Sequence, residues 1–150
     1  GLLITASADK YVKVWPLDFQ SYIHAMHETP VVGVDITADG LQVICSTLDG
    51  SVGLLDMHSH GYTDLVRSHG APISDAAVSL FFQELATASC DGTLKVWSLT
   101  SMMQTHEFGT QGDVPQVVAF HPGDRHLVAV GFQSGTLRIF DVDGPAVLCE

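Results

Sequence analysis

The sequence predicts an all-β fold built from four copies of one unit, each folding into a small antiparallel sheet. The phrase ATASCDGTLKVW (residues 86–97) has counterparts at 4–15, 43–55 and 127–140. The turn residues of the four copies, Asp9, Asp49, Asp91 and Ser134, follow one another at intervals of about 40 to 43 residues. This period is typical of the four-stranded blades of a β-propeller, whereas helical repeats recur at about 33 to 34 residues.

Each copy has the pattern of a β-hairpin, with one further strand expected on either side. In three copies Asp-Gly or Ser-Gly lies between two runs of apolar and β-branched residues, and glycine readily adopts the positive φ that such a tight turn requires. An upstream strand is predicted at 31–36, 73–78 and 116–120, and a downstream strand at 20–26, 61–67 and 102–108. No stretch of ten or more residues has helical periodicity.

Residues 1–150 are therefore expected to form part of one propeller, about three and a half blades of a larger ring. The predicted units are a partial blade at 1–26, blades at 27–67 and 68–108, and a blade at 109–150 whose last strand is cut short. Propellers have about four to eight blades and close into a ring, and an open arc leaves apolar blade faces uncovered. We expect the rest of the same propeller to be needed for closure.

Composition limits the class of partner. The chain is 46% apolar and 15% charged, which is typical of a folded domain, and 17 acidic against 6 basic residues give a net charge of −11. This charge argues against binding to nucleic acid or to an anionic membrane. No apolar membrane span or signal peptide is evident. Cys45, Cys90 and Cys149 lack zinc-type spacing, so we expect reduced thiols in a cytoplasmic protein.

Over essentially its whole length the chain resembles the WD-repeat β-propeller family. The dipeptide that names the family is degenerate in every copy, reading Trp15-Pro16, Leu55-Asp56, Trp97-Ser98 and Phe140-Asp141. Within the family, the phrases STLDGSVGLLDM (46–57), LVRSHGAPI (65–73) and VVAFHPGDRHLVAVGFQSGTLRIFDVDG (117–144) resemble the long tandem-propeller WD-repeat proteins of the centriole wall and cilium. The resemblance implies a seven-bladed ring in a non-enzymatic scaffold of protein–protein interactions, associated with microtubule walls of the cytoskeleton.

The resemblance also implies a hydrogen-bonded chain of His, Ser or Thr, Asp and Trp inside each blade. The third copy is complete, with His69, Thr87, Asp91 and Trp97. The first copy has Thr5, Asp9 and Trp15. The second has His27 and Asp49, with Cys45 and Leu55 in the other two places, and the fourth has Gln111, Val130, Ser134 and Phe140.

A hydroxyl, an imidazole and a carboxylate in series suggest a catalytic triad. In the third copy, however, the series would end in the indole N–H of Trp97, which can only donate, so we interpret it as structural. A propeller enzyme is the less favoured alternative, because it would need polar groups that converge from the innermost strands into the central channel. Those strands supply Asp35, Thr37, Ser74 and Asp75, which are too scattered to assign a reaction.

No metal or cofactor is predicted. His58 and His60 have an H-x-H spacing, but they lie beyond a third strand without a further ligand pair, so a solvated loop is the better interpretation. His24 and His27 lie on a strand and a loop, where a separation of three does not place them on one face.

Partner-binding residues are expected in the loops that lead into the first strand of a blade or join its second strand to its third. The candidates are His27, Glu28, Thr29, Thr47, Leu48, Gly112, Asp113, Val114, Phe132 and Gln133. Tubulin surfaces are acidic, so we expect microtubule-binding elements to lie outside this chain and its partners to be other scaffold or cytoskeletal proteins. A generic adaptor, acting as a substrate receptor or assembly platform in another cytosolic or nuclear pathway, stays an alternative.

Overall fold

A computed structural model describes residues 1–18, 20–37, 39–65, 69–79, 83–124, 126–144 and 147–149, although the side chains of 64–65 and 147–149 are excluded from the description. Within these ranges the chain forms fifteen strands in four antiparallel sheets. The predicted all-β propeller fold is thereby confirmed. None of the described residues forms a helix long and apolar enough to cross a bilayer.

Each sheet is one blade, and its strands follow one another in chain order. Blade 1 contains β1 (Leu2–Ala6), β2 (Tyr11–Pro16) and β3 (Ile23–Met26). Blade 2 contains β4 (Val31–Ile36), β5 (Gln42–Thr47), β6 (Val52–Asp56) and β7 (Tyr62–Leu65). Blade 3 contains β8 (Ile73–Val78), β9 (Glu84–Ser89), β10 (Thr93–Ser98) and β11 (Met103–Gly109). Blade 4 contains β12 (Pro115–Phe120), β13 (Leu127–Phe132), β14 (Leu137–Asp141) and β15 (Val147–Cys149).

Several predicted strand boundaries differ from those observed. The strand predicted at 20–26 is observed as Ile23–Met26. The strand predicted at 102–108 is displaced by one residue and the one predicted at 116–120 begins one residue earlier, as Met103–Gly109 and Pro115–Phe120. The last strand of blade 4 was expected to begin only at residues 149–150, whereas β15 already pairs with β14 through Cys149 and Val147. In blade 2 the predicted strand 61–67 is observed as Tyr62–Leu65, and residues 66–67, like residue 150, lie outside the described ranges.

The central hairpin turns use positive φ angles, as their sequences predict. Gly50, Gly92 and Gly135 have φ of 86°, 78° and 89°. The first copy has Lys10 in this place, with a φ of 75°. A residue with a side chain is strained in this region, and glycine adopts it most easily. The turn of blade 1 nevertheless has the same positive φ with lysine in place of glycine.

The hydrophobic core lies between the blades. Blades 1 and 2 share one cluster, which includes Val12, Val14, Val43 and Leu55. Blades 2 and 3 share a second, with Ile44, Val52, Leu54, Ile73, Leu85, Trp97 and Leu99. Blades 3 and 4 share a third, with Ala86, Ala88, Leu94, Val96, Val128, Val130 and Phe140. Strands that are apolar on both faces are expected in this arrangement, because each sheet is covered on two sides.

Candidate functional site

The four polar residues predicted to form a chain in blade 3 meet in the structure. The indole Nε1 of Trp97 donates to Thr87 Oγ1 at 3.1 Å, and Thr87 Oγ1 lies 2.8 Å from His69 Nε2. On the other side of the ring, His69 Nδ1 lies 3.0 Å from Asp91 Oδ2. Thr87 is fully buried and His69 nearly so. The chain therefore links β10, β9, the central turn and the loop before β8 through the interior of the blade.

The protonation states in this chain follow from burial. Burial lowers the pKa of His69 and outweighs the opposing charge of Asp91, so the imidazole is neutral at neutral pH. Burial raises the pKa of Asp91, but hydrogen bonds from Thr93 and Gly70, together with His69, have the larger opposite effect. The pKa of Asp91 is therefore below its usual value. One consistent assignment has Trp97 donate to Thr87, Thr87 donate to His69 Nε2, and His69 Nδ1–H donate to the Asp91 carboxylate.

Thr93 is a member of this network that the sequence reasoning missed. Its hydroxyl donates to Asp91 Oδ1 at 2.6 Å and lies 3.0 Å from His69 Nδ1. The repeat contained the signal, because Ser51 and Thr136 occupy the same place two residues after the turn residue in the next copies. With these bonds and one from Gly70 N, both carboxylate oxygens of Asp91 are occupied.

Blade 1 forms a shorter version of the network. Trp15 Nε1 donates to Thr5 Oγ1 at 3.1 Å, as in blade 3. Asp9 accepts from Tyr11 N at 3.0 Å and lies 3.8 Å from Lys13 Nζ. The tryptophan–threonine pair that the sequence predicts is thus present.

Blade 2 is held by a different set of contacts. Thr29 N donates to His27 Nδ1 at 3.1 Å, and Thr29 Oγ1 donates to Asp49 Oδ1 at 2.9 Å, so Thr29 connects the two predicted residues. Thr47 Oγ1 adds a bond to Asp49 Oδ1 at 2.6 Å, and Ser51 N also donates there. Burial alone would raise the pKa of Asp49, but these bonds lower it to about 2.

A tyrosine takes the space next to this set. Tyr62 packs edge-on against the His27 ring with centroids 6.0 Å apart. A Cβ added at Gly53 would lie 1.9 Å from the Tyr62 hydroxyl, so the ring occupies the volume of a missing side chain. In the other blades, the residue at the place of Gly53, four residues after the turn residue, is Lys13, Lys95 or Arg138.

In blade 4 the carboxylate of the network lies in the loop before β12 and not in the central turn. Ser134 stands where the other blades have Asp, and its hydroxyl donates to Asp113 Oδ2 at 2.5 Å. Thr136 Oγ1 donates to the same oxygen at 3.3 Å, and the bond from Ser134 lowers the pKa of Asp113. Asp113 occupies the place that Thr29 has in blade 2. In blade 2 the loop residue donates to a carboxylate in the turn, whereas in blade 4 the turn residue donates to a carboxylate in the loop.

The residues considered for a propeller enzyme have structural partners. Ser74 Oγ donates to Pro115 O at 2.6 Å, and Asp75 Oδ2 accepts from Val118 N at 2.9 Å, which joins β8 to β12. Asp35 accepts from the adjacent backbone N–H of Ile36, and Thr37 binds its own loop. These four side chains do not form one catalytic group.

The metal and thiol candidates show the following environments. His58 and His60 are exposed. Over the described ranges, no three His, Cys, Asp or Glu side chains come together as a metal site. Cys45 is buried and Cys90 is exposed, and neither is in a disulfide, whereas the side chain of Cys149 lies outside the description.

Three of the ten candidate partner-binding residues are buried. His27, Thr47 and Phe132 pack inside the blades because the network or the interblade core encloses their side chains, so they are unsuited to direct contact with a partner. Glu28, Leu48, Gly112 and Gln133 are exposed, and Thr29, Asp113 and Val114 are half-buried. All lie at one end of the blades, formed by the central turns and the loops before the first strands, which we call the hairpin end.

Comparison with known proteins agrees with this architecture. The family model described as WD domain, G-beta repeat matches residues 62–98. The chain is 39% identical over 145 residues to WD repeat-containing protein 90 of Mus musculus, which covers 96% of the chain and 8% of that protein. It is 40% identical over 151 residues to the Homo sapiens protein of that name, covering 100% of the chain and 9% of the relative.

A third relative carries a different name. The chain is 38% identical over 152 residues to Centriole proteome protein 16 of Chlamydomonas reinhardtii, with 100% of the chain and 7% of that protein covered. The chain thus spans less than a tenth of the length of these curated relatives. The four registered repeats, the sheets they form, the blade 3 network and these similarities together show that the chain belongs to the WD-repeat family.

Proposed function

We propose that this chain serves as a non-enzymatic protein–protein interaction scaffold within a structural protein of the centriole or cilium. The observation that carries the proposal is the blade 3 network, in which every group that could act as nucleophile, base or acid is bound to another. A fully buried Thr87 cannot reach a substrate. The polar residues thus stabilise the hairpins and leave the loops between strands as recognition surfaces.

The cellular setting is supported by the relatives. One relative that aligns over the whole chain is named for the centriole proteome, and the two relatives named WD repeat-containing protein 90 carry no enzymatic term. We therefore place the protein at the centriole or cilium, as part of the cytoplasmic cytoskeleton. The rest of the propeller would cover side chains such as Leu3, Val117 and Leu137, which are about half exposed on the first and last sheets.

The setting is tested by tagging the full-length protein at its own locus and imaging it against centriole markers. A matched pair of variants separates recognition from folding, because Leu48 and Met103 are both exposed apolar residues. Leu48→Ser at the hairpin end should reduce recovery of the partners that co-purify with the protein. Met103→Ser on β11 should leave recovery unchanged. Absence of the protein from centrioles, with stable binding elsewhere, would favour the generic adaptor.

Direct microtubule binding is addressed separately. A net charge of −11 disfavours contact between this chain and acidic tubulin surfaces. In a pelleting assay with microtubules at physiological salt, the propeller that contains this chain should stay in the supernatant. Stoichiometric co-sedimentation would show that the chain contacts tubulin itself.

A further inference from the structure

The two ends of the blades differ in how their carboxylates are used. At the hairpin end, Asp91 and Asp113 accept hydrogen bonds on both oxygens from their own blades, whereas the bonds to Asp49 all reach Oδ1 and come from two loops. At the opposite end, formed by the loops from first to second and from third to fourth strand, the carboxylates cap turns through Oδ1. These residues are Asp18, Asp39, Asp56, Asp124 and Asp141. Among the described residues no hydrogen bond reaches their Oδ2 atoms. Arg125, which follows Asp124 in the sequence, lies outside the description.

Two of these carboxylates border a groove between blades 2 and 3, which we call the interblade groove. It has a volume of about 140 Å³ and is lined by Thr37, Asp39, Leu41, Asp56, Gln83 and Leu99 among others. Leu99 is buried at its base, whereas Leu41 is 54% exposed. The groove is smaller than the pockets of about 300–1,000 Å³ that hold drug-sized ligands, so it suits a single long side chain.

Both carboxylates are fixed in position and ionised. Asp39 Oδ1 accepts from Thr37 Oγ1 at 2.6 Å and from Leu41 N at 3.0 Å. Asp56 Oδ1 accepts from Ser59 N at 2.7 Å and from its hydroxyl at 2.9 Å. The bond from Thr37 lowers the pKa of Asp39, and the bond from Ser59 N lowers the pKa of Asp56. Each residue therefore presents a negative charge with a free Oδ2 beside an apolar wall.

We propose that the interblade groove binds an arginine side chain of a basic segment in a partner protein. The aliphatic stem would lie along Leu41 and Leu99, and the guanidinium would donate to the carboxylates of Asp39 and Asp56. Arginine has this combination of an apolar stem and a planar cation with several fixed donors, whereas lysine offers only a point charge. The charge of −11 matches a basic partner. This inference deepens the proposed scaffold role and rests on it, because it names the chemistry of one partner.

The experiment uses the full-length protein and a capped Leu-Arg-Leu peptide that carries a photoreactive group. Labelling is followed against peptide concentration, and the labelled residues are mapped by mass spectrometry. The arginine peptide should label the groove. A matched peptide with citrulline, which is neutral, should bind at least about tenfold more weakly, as expected for lost charge-assisted hydrogen bonds. A lysine peptide keeps the charge but lacks the planar fork that can reach both carboxylates, so it should bind more weakly than the arginine peptide.

Three variants locate the binding. Asp39→Asn and Asp56→Asn keep an Oδ1 acceptor for the turn and remove the charge, so together they should weaken labelling about tenfold without unfolding the blade. Asp124→Asn makes the same change in a turn of blade 4 outside the groove and should change labelling less than about twofold. Equal binding of the citrulline or lysine peptide, an unchanged double variant, or an equal loss in Asp124→Asn would overturn the proposal.

The outcome is independent of the centriole test. If the protein localises to centrioles but the groove is not labelled, only the arginine assignment fails. If the arginine peptide labels the groove while the protein is absent from centrioles, the proposed localisation is refuted and the arginine-binding proposal is supported.

Discussion

The hydroxyl of Thr87 is the centre of the blade 3 network, and its removal gives the sharpest test of the structural interpretation. Thr87→Val keeps the branched shape in a fully buried place and removes one oxygen. The change leaves Trp97 Nε1 without its acceptor at 3.1 Å and His69 Nε2 without its partner at 2.8 Å. Two buried polar groups left unsatisfied, at about 1–3 kcal/mol each, would cost about 2–6 kcal/mol. Because Trp97 is 9% exposed, we expect the lower part of this range, about 2–4 kcal/mol.

Global unfolding of a large multidomain protein is not two-state, so the measurement should be local. Amide hydrogen exchange of β9 and β10 (84–98) reports the opening of this hairpin. A loss of about 2–4 kcal/mol corresponds to exchange that is roughly 30- to 1,000-fold faster when it is limited by the opening equilibrium. The amides of blade 1, which does not contact Thr87, serve as an internal reference.

Blade 2 provides the matched control. Cys45 is buried in the place of Thr87, and a thiol is a weak donor and a weak acceptor. Cys45→Val should therefore change local stability by less than about 1 kcal/mol. Unchanged exchange in Thr87→Val, or an equal effect in Cys45→Val, would refute the assignment of stability to the hydroxyl.

Three further predictions concern the other blades. Because the folded-state pKa of Asp49 is depressed to about 2, its stabilisation is complete above pH 4 and lost as pH falls towards 2. Asp49→Asn should flatten this part of the acid unfolding curve, by no more than about 1 kcal/mol after solvent screening. Ser134→Asp should destabilise blade 4 because it opposes Asp113, and adding Asp113→Ser should restore stability, as amide hydrogen exchange of β13 and β14 in the single and double variants would show. Gly53→Ala should cost about 1–3 kcal/mol of local stability, measured by amide hydrogen exchange of β5 and β6, because Tyr62 fills the space of the new methyl group.

The fold was predictable because its signals are local. A hairpin turn needs positive φ, and the glycines that supply it recur with the blade period, so strand order and turn positions could be placed from the residues alone. The complete network of His69, Thr87 and Trp97 was found in the same way, by register. The start of β15 was missed although Asp143-Gly144 gives a turn signal before it, because the three residues Val147–Cys149 are too few to show a strand period.

The contacts that were missed depend on which loop faces which turn. Asp113 and Ser134 are 21 residues apart, and nothing in either local sequence says that their roles are exchanged relative to blade 2. Burial was misjudged for the same reason. Phe132 and Thr47 are the last residues of β13 and β5, next to a turn, and the neighbouring blade and the turn itself enclose them.

A carboxylate in this protein therefore acts according to the donors around it. At the hairpin end, donors from two loops surround Asp91, and the side chain stabilises the blade at the expense of any outward contact. At the opposite end, Asp39 and Asp56 receive donors only from their own turns, which fix their orientation and leave one oxygen of each directed away from those bonds. An oriented charge whose second oxygen is free can bind a partner with little loss of conformational entropy. Recognition of a basic partner is thus better served by the end of the blades that lacks the histidine network.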